Sequence, residues 1–160
     1  MLEMDNLDKA VARASINRSR LVFLSTTQVA QAKQYMFASL DLNYALSAPL
    51  TNTPKQDRPK LVGQLIAALI NDVHGERILI TGLEILFDRS LAVDPIRLLS
   101  TCAKNKTLLV SWPGDKTSSG LSYAAPSHPE HRTYKASDLS DVIFLTADTQ
   151  LHLRDVNEIR

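Results

Sequence analysis

Short unbroken apolar runs alternate with stretches of helical period along this chain, and that alternation organises it. Leu21-Val22-Phe23-Leu24 is the kind of run that suits a strand buried on both faces of a parallel sheet. Arg77–Gly82, Thr107–Trp112 and Val142–Leu145 read the same way, the third run being stopped by Pro113-Gly114. Helical spacing marks Asp5–Ser19, where Leu7, Ala10, Val11, Ala14 and Ile16 fall close to i, i+3, i+4, i+7. It returns over Val29–Phe37, capped by Thr26 or Thr27, and over Leu61–Val73, which His74-Gly75 closes. A further helix is expected from Pro95 to Lys104, with Asp94 as N-cap and Pro95 in the first helical position. Ser39–Asn43 is a candidate second strand. After it, Pro49, Pro54 and Pro59 punctuate a polar segment that reads as an exposed loop. A loop holding Gly120, Pro126 and Pro129 precedes the last strand, and the C-terminal stretch is undecided between helix and frayed tail.

Strands alternating with helices imply a parallel sheet with right-handed crossovers and helices on both faces. The 160 residues, 44% hydrophobic and 22% charged, fit one α/β domain with a real core and exclude disordered or disulfide-scaffold classes. A formal net charge of +1 means that no global field attracts nucleic acid, so any such contact has to be local. Cys102, the single cysteine, excludes an internal disulfide and reads as a buried, inert thiol. With no apolar stretch near the roughly 20 residues of a membrane span, a cytoplasmic protein without membrane contact is expected.

A strand at residue 21 in such a sheet invites a search for a phosphate loop, whose glycines and helix N-terminus provide an N–H cradle for phosphates. The motif GxxxxGK[ST] is absent: Leu24 leads into STTQVAQAKQY, and no glycine precedes Gly63. Lys33 is followed by Gln34, so it neither neutralises phosphate nor precedes a magnesium-binding hydroxyl; it reads as a solvated helix residue. The central strand ends in Thr81-Gly82 rather than the acid that holds a magnesium shell, with Glu84 and Asp88 just beyond. The two losses fall on different parts of one reaction. A fold of the P-loop NTPase-like three-layer sandwich type, with degenerate Walker A and Walker B elements and no ATPase activity, is therefore expected.

From Ile78 the strings ILITGLEILFDRSLAVDPIRLL, KNKTLLVSWPG and LSYAAPSHPEHRTY resemble the BrxF family, a small P-loop-like component of BREX bacteriophage-defence systems. The resemblance covers roughly residues 77 to 135: the turn Leu83–Asp88, the helix opening Asp94-Pro95, the strand end Trp112-Pro113-Gly114, and Tyr123, Pro126, His128-Pro129-Glu130 and Arg132. Family members often carry a glycine-rich loop after the first strand and an Asp-Asn pair where Thr81 and Gly82 stand here. This chain departs from both. The resemblance implies a role in phage resistance beside a large ATPase, a DNA methyltransferase and a phosphatase-like protein, in which the scaffold survives as a binding or assembly part. A homo-oligomer is a further candidate assembly.

No catalytic or cofactor-binding residue is assigned. The candidate interaction site at the strand ends comprises Glu84, Asp88, Trp112, Tyr123, His128, Glu130 and Arg132. Open α/β sheets place ligands at such ends, although a core or anchoring role is the expected one for Trp112. His128, Glu130 and His131 lack the i, i+4 spacing of a helical zinc pair and a third ligand, so no metal is assigned. Arg13, Arg18, Arg20, Arg89, Arg97, Lys104 and Lys106 are candidate DNA-backbone contacts, though the interleaved Asp8, Asp88 and Asp94 favour a solvated mixed-charge surface. A DNA-binding accessory protein and a nucleotide sensor without hydrolysis stand as alternative functions.

Overall fold

The computed structural model describes residues 9–14, 20–25, 28–34, 38–103, 105–117, 119–139 and 142–145. Its centre is a parallel five-stranded sheet of β1 (Leu21–Leu24), β2 (Ala38–Asp41), β3 (Arg77–Thr81), β4 (Thr107–Ser111) and β8 (Val142–Leu145), in the order β2-β3-β4-β1-β8. Successive side chains of a strand point to opposite faces, and the two sets bury into two separate cores. Leu21, Phe23, Ile78, Ile80, Leu108 and Val110 face one side, while Val22, Leu24, Leu79, Leu109 and Ile143 face the other. Near-continuous apolar strands are what burial on both faces demands.

Helices cover both faces, an arrangement compatible with a three-layer sandwich. On one side are α1, helical over residues 9–14, and α2 (Val29–Gln34), which contribute Ala10, Val11, Ala14 and Ala32. Leu7, Ile16, Thr26, Thr27 and the expected continuation to Phe37 lie outside the described residues. On the other side are α3 (Leu42–Thr51), α4 (Arg58–Asp72) and α5 (Pro95–Cys102), with α4 between α3 and α5. Asp94 caps α5 as expected, its carboxylate accepting from the N–H groups of Ile96 (3.1 Å) and Arg97 (3.4 Å).

Two expectations are corrected. The segment after β2 is helical, not an exposed loop: Leu42, Leu46 and Leu50 fall one per turn, bury on the core and hold α3 against the sheet. Pro49 sits inside its last turn, Pro54 caps the short 3-10 turn Lys55–Asp57, and Pro59 opens α4. Each proline therefore marks an element's boundary rather than continuous loop. The strand itself stops at Asp41, whose carboxylate accepts the Tyr44 N–H and caps α3.

The second correction concerns the stretch before β8. It folds as an antiparallel sheet of β5 (Asp115–Thr117), β6 (Gly120–Tyr123) and β7 (Arg132–Lys135), in that order. Leu121 and Tyr134 are cross-strand partners, and both bury on the main core. Gly114 allows this sheet to fold back, because a Cβ there would collide with the Ser122 carbonyl and lie 3.0 Å from Tyr123 Cα.

Candidate functional site

Strand order reverses between β4 and β1. The chain leaving β1 crosses to β2 at one edge of the sheet, and the chain leaving β4 returns past β1 to β8 at the other. Ligands of open α/β sheets bind outside the strand C-termini at such a point, so the ends of β1, β3 and β4 decide what this site can do.

At the end of β1, Ser25 is bonded to a buried side chain. Gln28, 6% exposed, places Oε1 where it accepts from the Ser25 N–H (3.3 Å) and the Ser25 hydroxyl (3.2 Å), while its own N–H donates to the Ser25 carbonyl (3.0 Å). A phosphate cradle needs N–H groups turned outward; the Ser25 N–H is turned onto the Gln28 amide. At the end of β3, Gly82 adopts a left-handed conformation (φ 70°), and a Cβ there would strike the Asp41 carboxylate and come within 2.7 Å of Asn43 N. Close packing of the β2–α3 junction against this turn leaves no room for a side chain at position 82.

At the end of β4 lies an aromatic cluster. Trp112, 1% exposed, packs its ring 5.5 Å from Phe23, 5.8 Å from Phe87 and 6.1 Å from Tyr134, and its Nε1–H donates to the Asp115 carbonyl (3.3 Å). Of the candidate site residues, then, Trp112 is an internal anchor joining both sheets and is not part of the exposed surface. Tyr123 stacks on Phe87 at 3.9 Å with 14° between the rings. Burial pushes its phenol above the ordinary value, assisted by the charges of Glu130 and Glu84, which places those three candidates in one neighbourhood.

An open cleft of about 370 Å³ runs beside this cluster, lined in part by Asp88, Arg89, Val93, Glu130, His131 and Arg132. Its walls come from two distant segments. Asp88 accepts the Ser90 N–H (2.8 Å), and that bond, ahead of smaller attractions to Arg58 and Lys55, holds its carboxyl below the usual range. Arg132 donates to the Val93 carbonyl (3.1 Å) and lies 3.8 Å from the Asp94 carboxylate, both side chains being nearly half exposed. Asp94 also accepts from the Tyr134 hydroxyl (2.9 Å), so one carboxylate caps α5 and ties β7 to it. Burial holds the Tyr134 phenol far above its ordinary value and keeps it a neutral donor. His131 donates through Nδ1 to the Ala124 carbonyl (3.0 Å), whereas His128 is exposed and its Nδ1 accepts the Glu130 N–H (2.9 Å).

The seven candidate residues are thereby divided. Asp88, Glu130 and Arg132 line the cleft; Glu84 and Tyr123 stand near it; His128 shapes the loop at its rim; Trp112 supports it from inside. Among the described residues, no three His, Cys, Asp or Glu side chains come together as a metal site. Tyr134, Val93 and Gln28 were not among the expected participants. Alternation in Arg132-Thr-Tyr-Lys is the one sequence signal that marks Tyr134, while nothing in the sequence marks Gln28.

One of the candidate DNA contacts is engaged inside the fold. Lys106 Nζ donates to the carbonyls of Ile70 (2.8 Å) and Val73 (2.5 Å), so this cation satisfies the C-terminal carbonyls of α4 and is removed from the set. Arg89 and Arg97 are exposed, Arg13 and Arg20 are half-buried, and Arg18 and Lys104 lie outside the described residues. Cys102 is half-buried rather than enclosed, and burial raises its thiol. Among the described residues no helix is long and apolar enough to cross a membrane.

Fold and site together define a parallel-sheet α/β protein with Ser25 bonded to a buried Gln28 at the end of its first strand and an open cleft beside the fourth. No family model, curated protein or solved structure gives a match to the chain.

Proposed function

We propose that this chain is a non-catalytic, P-loop-like component of a BREX-type phage-defence assembly that acts by binding a protein partner at the cleft beside β4. The observation that carries the reading is the Gln28 closure: the first strand of an inward-reversing parallel sheet ends in a buried side chain bonded back to Ser25, where a nucleotide-binding version needs free N–H groups. The segments that carry the BrxF resemblance also support it. Leu83–Asp88, Asp94-Pro95, Trp112-Pro113-Gly114 and Tyr123–Arg132 are separate in sequence, yet their side chains meet through the Phe87–Tyr123, Phe87–Trp112 and Asp94–Arg132 contacts. A rigid wall of this kind suits recognition better than chemistry, since its charged groups mostly serve one another.

Two measurements test the reading. Calorimetric titration with ATP and magnesium should give no heat up to about millimolar ligand, equivalent to binding weaker than roughly 4 kcal/mol; saturable binding sinks the closed-strand argument and favours the nucleotide sensor. Co-expression of the tagged chain with the large ATPase, the methyltransferase and the phosphatase-like protein should retain one of them, and Arg89→Glu with Glu130→Arg should weaken that retention at least about tenfold. Retention of DNA alone, lost steeply with salt, would replace this reading with the DNA-binding one.

A further inference from the structure

The segment 124–131 joins β6 to β7 and supplies one wall of the cleft through Pro129, Glu130 and His131. Hydrogen bonds fold it back on itself. The His128 N–H donates to the Ala125 carbonyl (2.8 Å), and the His131 N–H donates to the His128 carbonyl (3.0 Å). The Glu130 N–H donates to His128 Nδ1 (2.9 Å), and His131 Nδ1 donates to the Ala124 carbonyl (3.0 Å). His128 thus takes part through its N–H, its carbonyl and its ring. Residues 125–129 are all exposed, so apolar burial does little to fix their shape and these bonds have to. The segment also begins under strain, since Ala124 has φ 63°, a left-handed conformation that residues with a Cβ rarely adopt.

The two histidines need opposite arrangements of their protons. A main-chain N–H can only donate, so His128 Nδ1 must present a lone pair, and the ring is neutral with its proton on Nε2. His131 Nδ1 faces a carbonyl, which can only accept, and therefore carries a proton in the neutral ring and in the imidazolium alike. Adding a proton leaves the His131 bond in place. At His128 it turns the acceptor into a donor aimed at another donor.

We infer that His128 is an acid-sensitive latch on this wall of the cleft: the neutral ring holds segment 124–131 in its folded shape, and protonation releases Pro129 and Glu130 from the wall. The other titratable and charged groups around it are Glu130, His131 and Arg132 on its own side and Asp88 and Arg89 on the facing wall, with Glu84 beside Tyr123. Asp88 is bonded to Ser90, and Arg132 to the Val93 carbonyl and Asp94. The facing wall and the start of β7 therefore have ties of their own, which confines the response to the loop. Loss of one ordinary hydrogen bond raises the released population on the order of fivefold.

The latch belongs to the free chain and does not depend on the partner proposed for the cleft. Nuclear magnetic resonance of the full chain from about pH 8 to about pH 5, the range in which imidazoles change charge, tests it directly. At the upper end, the ring nitrogens of His128 should report a proton on Nε2. As that ring titrates, the Glu130 and His131 amides should lose protection from hydrogen exchange, corrected for the intrinsic rate, by about fivefold or more. His128→Asn places a side-chain oxygen that accepts at every pH, and should keep both amides protected throughout. His128→Ala should resemble the acid form at every pH. His131→Asn retains a side-chain N–H for the Ala124 carbonyl and should keep the wild-type response. A neutral His128 with its proton on Nδ1, resonance shifts without loss of protection, or a His128→Asn variant that opens in acid as the wild type does overturns the inference.

Discussion

Replacing Asp94 with alanine removes three interactions that converge on one carboxylate. The first is the cap of α5, through the N–H groups of Ile96 and Arg97, worth about 1 kcal/mol. The second is the bond from the Tyr134 hydroxyl, 2.9 Å long and joining α5 to the antiparallel sheet; a hydrogen bond to a charged group contributes about 1.5–3 kcal/mol. The third is the pairing with Arg132, at 3.8 Å with side chains 41% and 45% exposed, which solvent screening reduces to between about 0 and 1 kcal/mol. Since they share one group they do not simply add, and a total of about 2–4 kcal/mol is expected. For a chain of this size each kcal/mol lowers the Tm by about 2–4 °C, so Asp94→Ala should melt roughly 4–16 °C below the wild type. Asp94→Asn keeps an oxygen that caps nearly as well and can still accept from Tyr134, and should lose only about 1 kcal/mol. Urea unfolding followed by the emission of Trp112, the only tryptophan, measures both, because its ring packs 6.1 Å from Tyr134. Asn and Ala variants of equal stability, or a loss under about 1 kcal/mol for alanine, would refute the shared-carboxylate account.

Leu46→Ala, in the buried stripe that holds α3, should cost about 2–5 kcal/mol in chemical denaturation; a negligible loss would mean that α3 does not pack as described. Gly82→Ala forces a side chain into a left-handed turn facing Asp41 and Asn43, and should cost more than about 1 kcal/mol, read as a fall in Tm. In alkaline solution the raised Tyr134 phenol means that the folded state holds its proton more tightly than the unfolded chain does. Its contribution is full below the ordinary value of 10.0 and declines as pH rises past it; Tyr134→Phe should flatten that decline in a pH series of melting curves. Asp88 has the opposite sign: its lowered carboxyl stabilises the fold above the ordinary value of 3.8, and that contribution is lost as pH falls below it. Asp88→Asn should therefore be less sensitive to acid than the wild type.

Much of the architecture was decided locally. β1, β3, β4 and β8 are legible because strands buried on both faces must be apolar almost without interruption, and Asp94-Pro95 announces a helix start by the cap and the fixed φ alone. The absent phosphate glycines are equally a matter of sequence. Tertiary structure decided what short-range signals leave ambiguous. Leu42, Leu46 and Leu50 form a stripe only one residue wide, and Pro49 reads as a breaker, so α3 exists because the core pays for it. The strands β5 to β7 are three or four residues long, and Leu121 and Tyr134 are buried only once they pair across the sheet and meet Trp112. The same holds for the candidate site. Sequence placed Tyr123, Glu130 and Arg132 on one loop, but the stacking of Tyr123 on Phe87, the Asp94 link and the withdrawal of Lys106 to cap α4 depend on contacts between residues some 30 to 40 positions apart. Hydrophobic period and turn chemistry act over a few neighbouring residues, whereas a site at strand ends is assembled by the order in which the strands lie side by side.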